Sequence, residues 1–403
     1  MPARDAEPKG PAMDVEFSQR LQQLPPYLFA DLRRKMATAR EKGIKVLRID
    51  IGDPDVPTPD PVVEEFRRAV ADEADPDRHR YGCDRPAPQF AEAARTFYRR
   101  RFGVELASDQ LVTTMGAKDA IVKLCLGVMN PGDVGLAPQP GYPTYNIGHV
   151  FCGGSTCYVP LRPENGFLMD FGEIPSETLR RARILWLNYP NNPTTGVATA
   201  AFFEQAVAFA REHGLLLVHD AAYVTNTYGD CQAPSVLQVP GADEVAVEMF
   251  SLSKAFNMTG WRAGFVAGNA SAVRALSTVK ENVDNGSLRA VQFAAARALD
   301  LADDLLPKVN AVYAARRDLV VDALNAAGWS LEKPQATIYV WAPVPEKYAG
   351  DSGAFATDLL EKTGVMVTPG RGYGEAGEGY FRISLTYPDD VLREAMDRIV
   401  EMM

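Results

Sequence analysis

The 403-residue chain has no long apolar run. Nothing in it approaches the roughly 18 consecutive apolar residues that mark a membrane span. Cysteine is scarce too. The five cysteines, Cys83, Cys125, Cys152, Cys157 and Cys231, are odd in number and show no Cys-x-x-Cys spacing, which fits free thiols in a reducing compartment rather than a disulfide framework. Of the four histidines, His79 and His149 are isolated, His213 falls at a polar helix end, and His219 alternates away from its neighbour Asp220, so no metal site is expected. Basic residues are outnumbered: 42 Lys and Arg against 52 Asp and Glu give a net charge of −10, which speaks against non-specific nucleic-acid binding. The triplet Arg99-Arg100-Arg101 reads as a solvated helix end. The N-terminus has no apolar h-region, so it reads as a disordered lead and not a signal peptide, and the expected location is the cytoplasm.

Apolar residues make up 46% of the chain, enough at this length for two domains. Residues 17–42 carry helical spacing, 46–51 read as a strand, and the four prolines of Pro54-Asp55-Val56-Pro57-Thr58-Pro59-Asp60-Pro61 mark a turn-rich crossing. Helices and strands then alternate to about residue 270, which implies a mostly parallel sheet covered by helices. A long helical region over about 273–324 leads to strands near 339–343 and 381–385.

The most informative segment is Ser251-Leu252-Ser253-Lys254-Ala255-Phe256-Asn257-Met258-Thr259-Gly260-Trp261-Arg262. It sets one lysine beside hydroxyls and an arginine, as an anionic cofactor bound through an imine requires. Lysine condenses with an aldehyde only as the free amine, so its pKa must be depressed. Pyridoxal 5′-phosphate offers both the aldehyde and the phosphate. A lysine in a surface turn is the plainer alternative. Gly214-Leu215-Leu216-Leu217-Val218-His219-Asp220 reads as a buried parallel strand ending in a carboxylate, at the strand C-terminus where open α/β sheets place ligands. There Asp220 would keep a pyridine nitrogen protonated; capping the next turn is its other use. A second strand, Ile184-Leu185-Trp186-Leu187, runs into the loop Asn188-Tyr189-Pro190-Asn191-Asn192-Pro193-Thr194-Thr195-Gly196. Asn192 and Tyr223 could both hydrogen-bond a phenolate oxygen.

These residues, with Asp220-Ala221-Ala222-Tyr223 and Phe381-Arg382-Ile383-Ser384 in the same order, resemble a class I/II aminotransferase of pyridoxal-phosphate fold type I from about residue 20 onward. The resemblance implies an α/β fold: a large domain with a mostly parallel seven-stranded sheet covered by helices, and a smaller α+β domain. Its expected boundaries are a lead over 1–16, a segment over 17–58 that joins the small domain, the large domain over 59–295 and the small domain over 296–403. The resemblance further implies that Lys254 forms the Schiff base, that Asp220 pairs with the pyridine nitrogen, and that Asn192 and Tyr223 contact the 3′-oxygen. Ser251, Ser253 and Arg262, with backbone N–H groups of Gly116, Ala117 and Lys118, would bind phosphate. Tyr142 would stack on the ring, Arg382 would clamp the substrate α-carboxylate, Gly52 and Asn192 would flank the substrate, and Tyr81 would reach the partner subunit's phosphate. A homodimer follows.

Further segments are similar to LL-diaminopimelate aminotransferases: Arg20-Leu21 with Leu24-Pro25-Pro26-Tyr27-Leu28-Phe29, Ile51-Gly52-Asp53-Pro54-Asp55, Lys280-Glu281-Asn282-Val283-Asp284, Tyr339-Val340-Trp341-Ala342-Pro343 and Gly374-Glu375-Ala376-Gly377-Glu378-Gly379. Pro86, Ala117, Phe250, the doubled threonine Thr194-Thr195 and Arg371 depart from the pattern. Arg371 lies either in the substrate pocket or on the surface. The expected reaction moves an amino group from an amino-acid donor to a 2-oxo acid acceptor, with Lys254 as general base. An oxidase or hydroxylase on the same fold would keep every cofactor contact. A ligand-sensing regulator would need a DNA-binding segment, and the stretch ahead of Arg20 is too short for one.

Overall fold

The computed structural model describes residues 15–24, 28–82 and 86–403. Residues 1–14 of the expected lead, the Pro25-Pro26-Tyr27 part of the motif and Cys83 lie outside the described residues.

Twelve strands occur among the described residues: β1 Leu47–Arg48, β2 Leu111–Thr114, β3 Val134–Gln139, β4 Ser155–Pro160, β5 Ala182–Leu187, β6 Leu216–Asp220, β7 Ala246–Ser251, β8 Gly264–Gly268, β9 Tyr339–Pro343, β10 Val365–Met366, β11 Thr368–Pro369 and β12 Tyr380–Ser384. Seven of them form one sheet in the order β2-β8-β7-β6-β5-β3-β4. Pairing is parallel from β7 across to β4, and β8 runs antiparallel to both its neighbours. The seven-stranded, mostly parallel sheet expected from the sequence is therefore present. Its central strands are apolar on both faces because helices cover both. One layer is built on Phe97, Phe203, Leu217 and Phe265, the other on Ile121, Trp186, Val218 and Met249.

The second core is small and late in the chain. It packs the antiparallel set β11-β12-β9 against the helices Ala302–Ala326 and Asp389–Met402 through Tyr313, Val320, Ile338, Phe381 and Leu392. β1 joins this unit by pairing in parallel with β10. The strand expected over 46–51 is short: Ile49 still donates its N–H to the Met366 carbonyl and accepts from the Ser384 N–H, but the Asp50 carbonyl accepts from Thr368 Oγ1 and Arg382 instead of from a strand.

The single helical region expected over 273–324 is three helices, Ala270–Val283, Arg289–Asp300 and Ala302–Ala326. The first stops because the Asp284 carboxylate turns inward, accepting from the Gly286 N–H at 2.7 Å and from the buried ammonium groups of Lys123 and Lys280. Ala295, Ala298 and Leu299 of the second helix pack in the large core. Among the described residues no helix is long and apolar enough to cross a membrane.

Candidate active site

The C-terminal ends of β5, β6 and β7 open toward the small core, and a cavity of about 1750 Å³ lies between them. Lys254 sits on a single helical turn, Leu252–Ala255, straight after β7. Ser251 caps that turn, its hydroxyl accepting from the Ser253 N–H at 3.3 Å. The lysine is half-buried and walled by protein, and its Nζ donates to the Gly52 carbonyl. Burial lowers its pKa to about 8; Arg382 and Arg262 push the same way and Asp53 opposes them. Among the described titratable groups this is an unusual lysine: it gains a free amine near neutral pH.

Asp220 ends β6 and is buried. Its Oδ2 accepts from the Tyr145 hydroxyl at 2.9 Å, and its Oδ1 has no partner among the described residues. Burial raises the carboxyl's pKa above the usual range, and hydrogen bonds from Tyr145 and the Ala222 backbone, with the charge of His219, pull it back. A buried carboxylate oxygen without a donor is costly, and a protonated ring nitrogen of a ligand would supply one. Tyr145 was not singled out from the sequence. It lies one helical turn beyond Tyr142 and stacks on Trp186 at 4.8 Å.

His219 points to the other side of the sheet, as alternation requires, onto Glu248 at 2.7 Å and the Tyr189 carbonyl at 2.7 Å. His149 is buried under Trp186, and burial lowers its pKa to about 4. Among the described residues no cluster of His, Cys, Asp or Glu could hold a metal.

The phosphate-binding candidates converge at the edge of the same cavity. Helix Ala117–Val128 starts there, capped by Gly116. Gly116 has φ +83°, and a Cβ on it would stand 2.7 Å from Arg262 Nη2, so both backbone and space demand glycine. Arg262 is held by the Met115 and Thr259 carbonyls at 2.9 and 3.0 Å. Ala117, Lys118, Ser251, Ser253 and Arg262 all line the cavity. Backbone N–H groups at a helix start, two hydroxyls and a guanidinium form a cradle for a phosphate dianion.

Asn192 is presented by a loop that bonds itself: the Asn188 side chain accepts from the Asn192 N–H at 2.9 Å and donates to the Asp220 carbonyl at 2.7 Å, while Asn191 Oδ1 accepts from the Thr194 N–H and hydroxyl. Asn192 Oδ1 accepts from Arg382 Nη1 at 2.7 Å, and the Asp50 carbonyl accepts from Nη2 at 2.7 Å. The guanidinium is buried, lies 3.9 Å from the Tyr339 ring centre, and leaves its Nε without a partner among the described residues. It is an immobilised fork with donors unspent, as capture of a carboxylate needs. Asp50 and Tyr339 carried no sequence signal for this role.

Tyr223 lines the cavity and bonds the Tyr339 hydroxyl at 2.9 Å. Tyr142 lines the same wall and meets Tyr145 edge-on. Gly52 faces Lys254 from a turn fixed by Thr386, which accepts from the Asp53 N–H and donates to the Ile51 carbonyl. Arg371 reaches the outer rim, 60% exposed, with Asp351 at 3.8 Å and Glu378 at 3.7 Å. Tyr81 is apart from the cavity and 82% exposed. Within one chain the structure therefore gathers every candidate except Tyr81 around one cleft.

Comparison with known proteins gives the family. The family model for class I and II aminotransferases matches residues 44–399. A Moorella thermoacetica LL-diaminopimelate aminotransferase is 47% identical over 386 residues, 96% of this chain and 98% of its own. One from Desulforudis audaxviator is 48% identical over 388 residues, again 96% and 98% of the two chains. Among solved structures, substrate-bound BacF from Bacillus subtilis superposes with TM-score 0.91 at 35% identity, covering 97% of this chain and 98% of its own. A Thermus thermophilus aspartate aminotransferase mutant gives 0.87 at 28% identity, covering 97% and 100%. An orphaned buried carboxylate oxygen, a glycine-built anion cradle and a lysine with a lowered pKa in one cleft make the chain a pyridoxal-phosphate-dependent enzyme, and it belongs to the class I and II aminotransferases.

Proposed function

We propose that the enzyme takes the amino group of LL-diaminopimelate or a close diamino dicarboxylic acid and passes it to 2-oxoglutarate, working as a homodimer in the cytoplasm. The observation that carries the amino-acid part is the seating of Arg382, whose Nη1 and Nη2 are held by Asn192 and Asp50 and which lines the same cleft as Lys254. The donor's identity follows relatives that are LL-diaminopimelate aminotransferases, 42–48% identical over nearly the whole chain. The rim suits such a donor: Arg371 between Asp351 and Glu378 offers both signs of charge to a substrate whose far end carries both an ammonium and a carboxylate.

The roles follow from the site. Arg382 binds the α-carboxylate and so fixes the orientation of the Cα–H bond. Lys254, a free amine above about pH 8, takes the α-proton. Asp220 holds a proton on the ring nitrogen through Oδ1, with Tyr145 fixing Oδ2. Gly116, Ala117 and Lys118 N–H groups with Ser251, Ser253 and Arg262 anchor phosphate, and Asn192 and Tyr223 face the 3′-oxygen. When bound, pyridoxal phosphate supplies an electron sink for the charge left by the departing proton. Tyr142, on the cavity wall, would pack on the ring's face.

The homodimer rests on Tyr81 and on Val283, which are 82% and 64% exposed, and on the close approach of Gly82 to the Ser287 and Asn285 carbonyls. Such apolar exposure suits a two-fold interface through which Tyr81 serves the partner subunit. The cytoplasm is supported by the four described cysteines, all free thiols.

The test is a donor panel of LL-diaminopimelate, aspartate, glutamate, lysine, arginine and alanine, each with pyruvate and with 2-oxoglutarate, with peroxide and ammonia followed in parallel. Amination of 2-oxoglutarate by diaminopimelate, without peroxide, is expected. Inactivity on diaminopimelate overturns the donor, and peroxide with free ammonia overturns transfer. Light scattering is expected to give twice the chain mass; a fully active monomer contradicts the dimer.

A further inference from the structure

Tyr339 opens β9 and is almost wholly buried. Its strand pairs with β12 so that Tyr339 stands opposite Ser384, which puts Arg382, two residues along, on the same face as its diagonal neighbour. The consequence is a direct stack, with the guanidinium carbon 3.9 Å from the ring centre. The hydroxyl end of the same ring lies 2.9 Å from the Tyr223 hydroxyl. It also presses on the turn that receives Lys254: a Cβ on Gly52 would stand 2.0 Å from Tyr339 Oη, so only glycine fits there. One side chain thus touches the carboxylate fork, the tyrosine of the cofactor side and the residue whose carbonyl holds the lysine.

A pair of buried hydroxyls has two protons, and one is spent on the bond between them. If Tyr223 donates, its only proton points away from the cleft. If Tyr339 donates, the Tyr223 proton is free to enter the cleft. We propose that Tyr339 is a positioning residue with two tasks: it donates to the Tyr223 oxygen, which leaves the Tyr223 proton for the anionic 3′-oxygen of the cofactor and strengthens that donor, and its ring face holds the Arg382 guanidinium. An anionic oxygen in front of Tyr223 selects this direction, because only then does that oxygen meet a donor. Tyr339 so ties substrate capture to the electronic state of the cofactor without touching the cofactor itself. The inference rests on the proposed contact between Tyr223 and the 3′-oxygen. The charged groups acting on Tyr223 are Arg382 from β12 and Asp220 from β6, and those acting on Lys254 are Asp53, Arg382 and Arg262; all are kept in the variants below.

The test is a pH titration of the visible absorbance of the holoenzyme for the parent, Tyr223→Phe, Tyr339→Phe, Tyr339→Leu and Tyr223→Phe/Tyr339→Phe, with KM for the amino-acid donor measured on each single variant. A donor to the 3′-oxygen favours the state in which that oxygen carries its full charge, the deprotonated one, so losing the donor raises the midpoint. Tyr223→Phe is expected to raise it by about 0.5 to 1 pH unit, the size of one hydrogen bond. Both Tyr339 variants keep the Tyr223 donor and lose only the bond that polarises it, so they are expected to raise it in the same direction by less than Tyr223→Phe does, and the double variant no further than Tyr223→Phe alone. Tyr339→Phe keeps the ring and should leave KM near the parent value. Tyr339→Leu should raise KM roughly two- to thirtyfold. A parent-like midpoint in both Tyr339 variants beside a shifted Tyr223→Phe overturns the relay while leaving the Tyr223 contact standing. If Tyr223→Phe also titrates like the parent, the contact itself falls and the relay with it. A Tyr339→Leu variant with unchanged KM overturns the second task. Should Tyr339→Phe not fold, Tyr339→Leu still reports both quantities.

Discussion

Replacing Arg382 tests the substrate half of the site. Its guanidinium is buried, bonded to Asn192 Oδ1 and the Asp50 carbonyl at 2.7 Å each and stacked on Tyr339, so it is rigid before substrate arrives. Two charge-assisted hydrogen bonds to a carboxylate would each contribute about 1.5–3 kcal/mol, and part of that is offset by water lost from the carboxylate. A net loss of about 2–4 kcal/mol on truncation corresponds to a fall in kcat/KM of roughly 30- to 1000-fold. Arg382→Lys should fall nearly as far, because one ammonium cannot satisfy Asn192, Asp50 and a two-oxygen ligand together. Steady-state kinetics of both variants on several amino acids provide the magnitude. An alkylamine without a carboxylate provides the control and should react equally slowly with parent and variant. A kcat/KM within about threefold of the parent on every amino acid would refute the assignment, as would an equal loss on the alkylamine.

Capture of pyridoxal phosphate by the apoenzyme should accelerate about tenfold per pH unit below pH 8 and level off above it, since the reactive form of Lys254 is the free amine and its pKa is lowered to about 8; stopped-flow absorbance measures this, and a rise continuing to pH 10 contradicts it. The same shift makes stability rise with pH between about 8 and the ordinary lysine value, because the unfolded chain binds the proton more tightly there. Gly116→Ala drives a methyl against Arg262 from a left-handed backbone, so the cofactor's Kd should rise by about tenfold or more, read by equilibrium dialysis, and an unchanged Kd removes Gly116 from the cradle. Arg371→Ser should alter the ranking of acidic, basic and apolar donors while leaving α-carboxylate recognition intact; a ranking that matches the parent places Arg371 on the surface alone.

What could be read without a structure was what local chemistry writes into neighbouring residues. β6 is apolar on both faces and ends in Asp220, and the Lys254 segment carries its hydroxyls and arginine within a dozen positions, so strand, sheet type and cofactor class were legible together. Arg382 was legible through its family segment. The partners that make these groups work were not, because they arrive from afar: Tyr145 reaches Asp220 across 75 positions, Tyr339 reaches Tyr223 across 116, and the Asp50 carbonyl meets Arg382 across 332. No periodicity encodes such meetings. Helix breaks were hidden for a related reason. Asp284 ends its helix by turning to Lys123, contributed by a helix much earlier in the chain, and the local sequence there still reads as helical.

The most direct test of the central claim is borohydride reduction of the purified, cofactor-loaded enzyme, followed by peptide mapping. The account predicts a yellow protein whose colour is fixed by reduction onto a single peptide, with the adduct on Lys254. An adduct on Lys118 or Lys280, or none at all, would contradict it.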